Sequence, residues 1–225
     1  MVEPSFWSMG RKKRNWLISY PRSGNTWIRL FFEYYTRKST RSLCVPFKPL
    51  IFDTVETILW KKHELFFDGP VDESDKVVFL IRNPFDAIAS SLKFDGKEPS
   101  DSNVKKYVKH YVEEINEYEK FNGKKIIIYY EDLLDDFKET VKKIIVFLEL
   151  KIKERKIDKF MKKNEKYFRR ALSWYVNEVP DKTKDNVYGD KDFFMRHKDL
   201  SNSQISFIHS KIKNHEYLER YKWMM

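Results

Sequence analysis

Apolar residues in this chain fall into two patterns, short unbroken runs and longer stretches spaced three and four apart. Trp16-Leu17-Ile18, inside Asn15 to Ser19, is the first run, Val77 to Ile81 the second, and Lys125 to Tyr129 holds the third. Short apolar runs bounded by charge or turn residues suit strands covered on both faces. The predicted strands are therefore about Asn15 to Ser19, Lys76 to Ile81 and Lys125 to Tyr129. Helical spacing follows each one. Trp27, Ile28, Leu30, Phe31 and Tyr34 predict a helix to about Arg37, and a second spans 84–93. Gly96 and Pro99 break the chain. Val104, Tyr107, Val108, Tyr111, Val112, Ile115 and Tyr118 then mark a long amphipathic helix ended by Gly123. Leu133, Leu134, Phe137, Val141, Ile144, Ile145 and Leu148 predict another. Residues 38–50 hold two prolines and read as a loop, and a short helix is predicted over about Asp53 to Trp60. Two or three short lysine-rich helices fill 153–172. Residues 173–198 read as a long loop, of the kind that often serves as a lid. Ser201-Asn202-Ser203-Gln204 is a capping box for a last helix with Ile205, Ile208 and Ile212 inward.

Alternating strands and helices predict an α/β fold, a central parallel β-sheet flanked by helices. Ligands in such sheets bind beyond the carboxyl ends of the strands. The 225 residues suit one domain, 1–225. Hydrophobic content of 41% and 16% aromatics exclude a disordered chain. No run approaches the ~18 apolar residues of a transmembrane helix. Met1 to Gly10 lacks a signal-peptide core. Cys44 is the single cysteine, so no internal disulfide forms and a reducing, cytoplasmic location is expected. The net charge of +10 favours anionic partners. No nucleic-acid-binding motif accompanies it, so nucleic acid is not expected as a partner. The lysine-rich stretch from Lys151 to Lys166 reads as a solvated face. No His, Cys, Asp or Glu cluster has metal-ligand spacing, so no metal is expected.

Two segments carry the candidate chemistry. After the first strand, Tyr20-Pro21-Arg22-Ser23-Gly24-Asn25-Thr26-Trp27 leads into a helix. A strand, a small-residue loop and a helix aim free backbone N–H groups and the helix dipole at a phosphate. The loop is not of the Walker form GxxxxGK[ST]. After the second strand comes Arg82-Asn83-Pro84-Phe85-Asp86. Asn83 can cap the following helix, Pro84 fits its first turn, and Asp86 favours its positive end. Arg82 then stands at the strand's carboxyl end, and Ser90 lies two turns into the helix. An arginine fork donates two parallel charge-assisted hydrogen bonds to a phosphate.

Pro21-Arg22-Ser23-Gly24-Asn25-Thr26-Trp27 resembles the 5′-phosphosulfate loop of sulfotransferases, and the Arg82 and Ser90 spacing resembles that family's 3′-phosphate site. The resemblance runs from about Asn15 to Phe194 and is dense only at these motifs. It implies the P-loop-like nucleotide-binding core of sulfotransferases. It also implies transfer of a sulfuryl group from 3′-phosphoadenylyl sulfate (PAPS) to an acceptor hydroxyl or amine, leaving 3′,5′-ADP. On this resemblance Arg22, Ser23, Gly24, Asn25 and Thr26 hold the 5′-phosphate, and Arg82 and Ser90 hold the 3′-phosphate. Trp27 and Phe168 flank adenine, and Tyr130, in Tyr129-Tyr130-Glu131-Asp132-Leu133, contacts the adenine end. Lys184 takes the place of an arginine in the family's late Arg-Lys-Gly element. Gly189 and Asp190 are kept there, while Asp185, Asn186 and Lys191 depart from the pattern. His63, in Lys61-Lys62-His63-Glu64, matches the catalytic base and is expected to titrate near neutrality, with Glu64 the rival. Arg22 stands where the family places lysine, and its role at the bridging oxygen would be electrostatic.

Two other classes stay open on the sequence. One is a kinase-like phosphotransferase, disfavoured by the missing Walker lysine. The other is a catalytically silent nucleotide-binding protein, which the divergent 184–191 loop keeps in play. The acceptor, a small molecule or a glycan or lipid, would be chosen by segments 38–60, 94–103 and 173–198. No dimer motif is evident near the C-terminus.

Overall fold

The structure, a computed structural model, describes residues 13–43, 49–63, 71–163 and 196–222. Five strands form one parallel sheet: β1 (Asn15–Ser19), β2 (Ser39–Ser42), β3 (Thr57–Lys62), β4 (Lys76–Ile81) and β5 (Lys124–Tyr129). Their order is β2-β3-β1-β4-β5. In the register of the centre, Ile18 stands beside Phe79 and Leu80 beside Ile128. Successive strand residues point to opposite faces, and here both faces are apolar. Trp16, Ile18, Val77, Phe79 and Ile81 pack into one core with helices α2 (Pro84–Phe94) and α3 (Asp101–Lys120). Leu17, Val78, Leu80 and Ile128 face the other, with α1 (Asn25–Thr36) and α5 (Phe137–Phe147). This two-sided covering is why β1 and β4 read as unbroken apolar runs. Burying each such side chain contributes about 1.5–3 kcal/mol.

Between β5 and α5 lies the short α4 (Tyr130–Asp135). The single helix predicted from Leu133 to Leu148 is in fact two. Asp136 interrupts it and caps α5, accepting a hydrogen bond from Glu139 N at 3.0 Å. A helix α6 covers 154–163, and α7 (Asn202–Ile212) begins with the expected capping box. Ile208 and Ile212 are buried as predicted, whereas Ile205 is only partly covered. Short 3-10 turns span Arg196–Asp199 and Glu216–Tyr221.

Two expectations fail at the sheet's edge. The segment expected as a loop contains β2, and the helix expected near 53–60 is replaced by β3. Ser-Thr-Arg-Ser offers no apolar signal, because a polar network holds β2. Glu33 on α1 is fully buried and accepts backbone N–H bonds from Thr40 (3.1 Å), Leu50 (2.9 Å), Ile51 and Phe52 (3.1 Å). Thr-Ile-Leu-Trp-Lys-Lys ends in two lysines, both buried in the fold. Lys62 Nζ lies 5.4 Å from the centre of the Trp16 ring, so its charge sits against an aromatic face.

Candidate active site

The loop between β1 and α1 closes tightly. Ser23 N donates to the Tyr20 carbonyl at 3.3 Å, and both Arg22 (φ 67°) and Gly24 (φ 91°) are left-handed. A left-handed backbone suits glycine and costs a branched or bulky residue. Gly24 has a second reason to lack a side chain, since a Cβ there would stand 2.6 Å from Tyr130 Cε2. Helix α1 starts without a side-chain cap and without an acidic residue in its first turn. Its first N–H groups and positive dipole end are therefore left for a ligand anion. Ser23 is fully buried, and its Oγ has no hydrogen-bond partner among the described residues. A buried hydroxyl of this kind costs free energy unless something bonds it. Asn25 and Thr26, half-buried, open the helix.

Strand β4 delivers Arg82 beside this loop. Arg82 is buried, and its Nη1 donates to the Arg22 carbonyl at 2.9 Å. Its guanidinium lies 5.1 Å from the centre of the Tyr130 ring. Asn83 caps α2 as predicted, its Oδ1 accepting from Phe85 N at 2.9 Å. Ser90, also buried, accepts a hydrogen bond from Arg22 Nε at 3.4 Å. Ser91 Oγ donates to the Pro21 carbonyl at 3.3 Å. Trp27 meets Tyr130 edge-on at 6.5 Å and stacks on Phe137 at 4.9 Å. Thus Arg22, Ser23, Gly24, Trp27, Arg82, Ser90 and Tyr130 converge where β1 and β4 end. Phe168, Lys184, Gly189, Asp190 and Glu64 lie outside the described residues.

Sequence reasoning missed two supporting groups. Glu131 reads as an acidic helix start, yet its carboxylate accepts from Asn83 N at 2.9 Å and from Tyr221 OH at 2.5 Å. It thereby ties the segment after β5 to the start of α2. Lys61 was read only as part of the motif around His63. Its Nζ contacts His63 Nε2 directly.

His63 follows β3. Its Nδ1 lies 2.6 Å from the Ser19 carbonyl, which can only accept, so Nδ1 carries the hydrogen. Nε2 is then the lone-pair nitrogen, and the Lys61 ammonium donates to it. Burial first, and the Lys61 charge second, push the His63 pKa down to about 3. The expected titration near neutrality is therefore not what this environment gives: the ring is neutral throughout the physiological range.

His63 opens into a cleft of about 620 Å³ shared with Tyr20, Pro21, Phe94, Tyr107 and His110. The Arg22 guanidinium stacks 4.9 Å from the centre of the Phe94 ring, so Arg22 reaches from the loop to the cleft wall. His110 Nε2 stands 3.3 Å from the buried carboxylate of Glu114. Among the described residues, no group of three or more His, Cys, Asp or Glu is placed to hold a metal ion. No described helix is long and apolar enough to cross a membrane.

A protein-family model described as "Sulfotransferase domain" matches residues 12–215. The structure of mouse sulfotransferase SULT7A1 complexed with PAP is similar, with a TM-score of 0.65 and 17% identity, over 94% of this chain and 88% of that one. Retinol dehydratase in complex with androsterone and inactive cofactor PAP gives a TM-score of 0.54 at 15% identity, over 93% of this chain and 82% of that one. The sulfotransferase domain from the Curacin biosynthetic pathway also gives 0.54, at 12% identity, over 90% of this chain and 98% of that one. At these identities the likeness is one of fold. No curated protein sequence matches the chain significantly.

Proposed function

Because the chain belongs to the sulfotransferase domain family, we propose that it moves a sulfuryl group from PAPS to an acceptor hydroxyl or amine by in-line displacement, as a single domain acting in the cytoplasm. The observation that carries this reading is the meeting of two distant loops. Arg22 Nε reaches Ser90 Oγ, and Arg82 Nη1 reaches the Arg22 carbonyl, 60 residues apart in sequence. Two similar structures hold PAP, which supports a nucleotide donor of that kind here.

The residues present fit such a donor. Ser23 Oγ, Thr26, Asn25 and the N–H groups of α1 bind the 5′-phosphate, and Arg82 and Ser90 bind the 3′-phosphate. Trp27 lies against the base and Tyr130 contacts the adenine end, while Phe168 as the second ring and Lys184 as a further cation, both outside the described residues, belong to the same proposal. PAPS supplies the sulfuryl group. Arg22, between the phosphate loop and the cleft, offsets the charge that grows on the bridging oxygen. An arginine keeps its proton at neutral pH, so this help is electrostatic, and it is worth most in the transition state. His63, already neutral and held by Ser19, takes the acceptor's proton on Nε2. Lys61 must turn from Nε2 toward the transferring group for that to happen, which adds a second cation at the reacting centre. No step needs a metal ion.

The test is incubation with sulfur-labelled PAPS and a panel of phenols, alcohols, amines and glycans, read by mass spectrometry. A labelled acceptor together with 3′,5′-ADP is expected. Metal-dependent ATP turnover with no use of PAPS would assign the site to phosphoryl transfer instead.

A further inference from the structure

We infer that the face formed by α5 and α6 is a docking surface for an anionic membrane. This goes beyond a merely solvated lysine-rich helix, and it does not depend on the reaction proposed above. Lys143, Lys151, Lys153, Arg155, Lys159, Lys162 and Lys163 are all exposed. None of them forms an ion pair among the described residues. The acids on the same elements are already committed. Glu154 and Asp158 pair with Lys138 at 2.8 and 2.9 Å, and Glu139 and Glu154 pair with Lys142 at 2.8 and 2.7 Å. The bridges from Lys138 and Lys142 to Glu154 and Asp158 tie α6 to α5, and the spacing of Arg155, Lys159, Lys162 and Lys163 puts these four cations on one face of α6.

Charge alone would suit any polyanion. The apolar side chains point to a membrane. Five large hydrophobic residues are exposed among the described residues, and four lie between residues 134 and 161: Leu134 (48%) on α4, Val146 (61%) on α5, Ile152 (41%) just before α6 and Met161 (45%) on α6. Scattered exposed hydrophobes are ordinary, whereas gathered ones mark an interaction surface. Exposed cations and exposed aliphatic side chains on the same elements are the composition of interfacial anchors, whose cations meet acidic headgroups while the apolar groups enter the acyl boundary. No described helix could span the bilayer, so the association is peripheral. The chain's net charge of +10 works in the same direction over longer distances.

The experiment is co-sedimentation of the full chain with phosphatidylcholine vesicles, with and without phosphatidylserine. Binding is expected only with phosphatidylserine, and it should weaken as salt shortens the screening length from about 10 Å toward about 3 Å. The triple variant Lys159→Glu/Lys162→Glu/Lys163→Glu should lose roughly 100-fold or more in vesicle affinity. Ile152→Ser/Met161→Ser keeps every charge, and should weaken vesicle binding while leaving heparin binding unchanged. Circular dichroism of each variant confirms that it is folded. Absence of binding to phosphatidylserine vesicles, full binding by the triple variant, or heparin binding without vesicle binding each overturns the inference.

Discussion

A histidine in water takes up its proton near pH 6.5; His63 resists until about pH 3, because it is buried and faces Lys61. The unfolded chain binds that proton first as pH falls. His63 therefore costs nothing above about pH 6.5 and removes up to about 1.4 kcal/mol of stability per pH unit below it, until the folded ring also protonates near 3. Urea unfolding at several pH values between 7 and 4 should show wild type losing stability more steeply than His63→Gln. Equal slopes would mean that the ring is not held neutral. In function, His63→Ala should keep 3′,5′-ADP binding and lose turnover by about 10²–10⁴-fold. Arg22→Ala should lose both, since Arg22 contacts the Ser90 side of the site and the cleft wall. Turnover and calorimetric affinity of the two variants distinguish these patterns. Undiminished turnover in His63→Ala would move the base role elsewhere. At this scale the chain was informative wherever a residue type has few uses. Gly24, Arg82 and Ser90 stand at one end of the sheet, while the lowered pKa of His63 comes first from its burial and then from Lys61, and burial could not be read from spacing.

Among the elements, those buried on both faces were legible and those at the polar edge were not. Strands β1 and β4 announce themselves by apolar runs, and α7 by its capping box. Strand β2 is hidden because its stability lies in groups that normally signal surface, two serines, a threonine and an arginine, and β3 because its apolar stretch is only Ile58-Leu59-Trp60, followed by two lysines that prove to be buried. Glu33 is the hub of that edge. One buried carboxylate accepts four backbone N–H groups from β2 and residues 50–52. Glu33→Gln places an amide donor among those donors, leaving at least one buried N–H unsatisfied. The expected cost is roughly 3 kcal/mol, read as a lower denaturation midpoint with unchanged m. A change below about 0.5 kcal/mol, the range of ordinary surface substitutions, would show that the edge is held by other contacts.

For the molecule as a whole, the site's position follows from topology. With β1 central, the chain winds to β3 and β2 on one side and to β4 and β5 on the other. A crevice opens where the winding reverses, beyond the carboxyl ends of β1 and β4. Both are among the three strands that the sequence reveals, so the proposed nucleotide end was legible even with two strands missing from the reading. The cleft beside it was not, because His63, Phe94 and Tyr107 meet only through tertiary packing. The most direct measurement is a calorimetric titration of 3′,5′-ADP into the wild-type protein and into Arg82→Ala, without added metal. The account predicts saturable one-site binding by wild type, weakened in the variant by the roughly 1.5–3 kcal/mol of a lost charge-assisted hydrogen bond. Absence of binding at millimolar nucleotide by folded wild type, or equal affinity in Arg82→Ala, would contradict it.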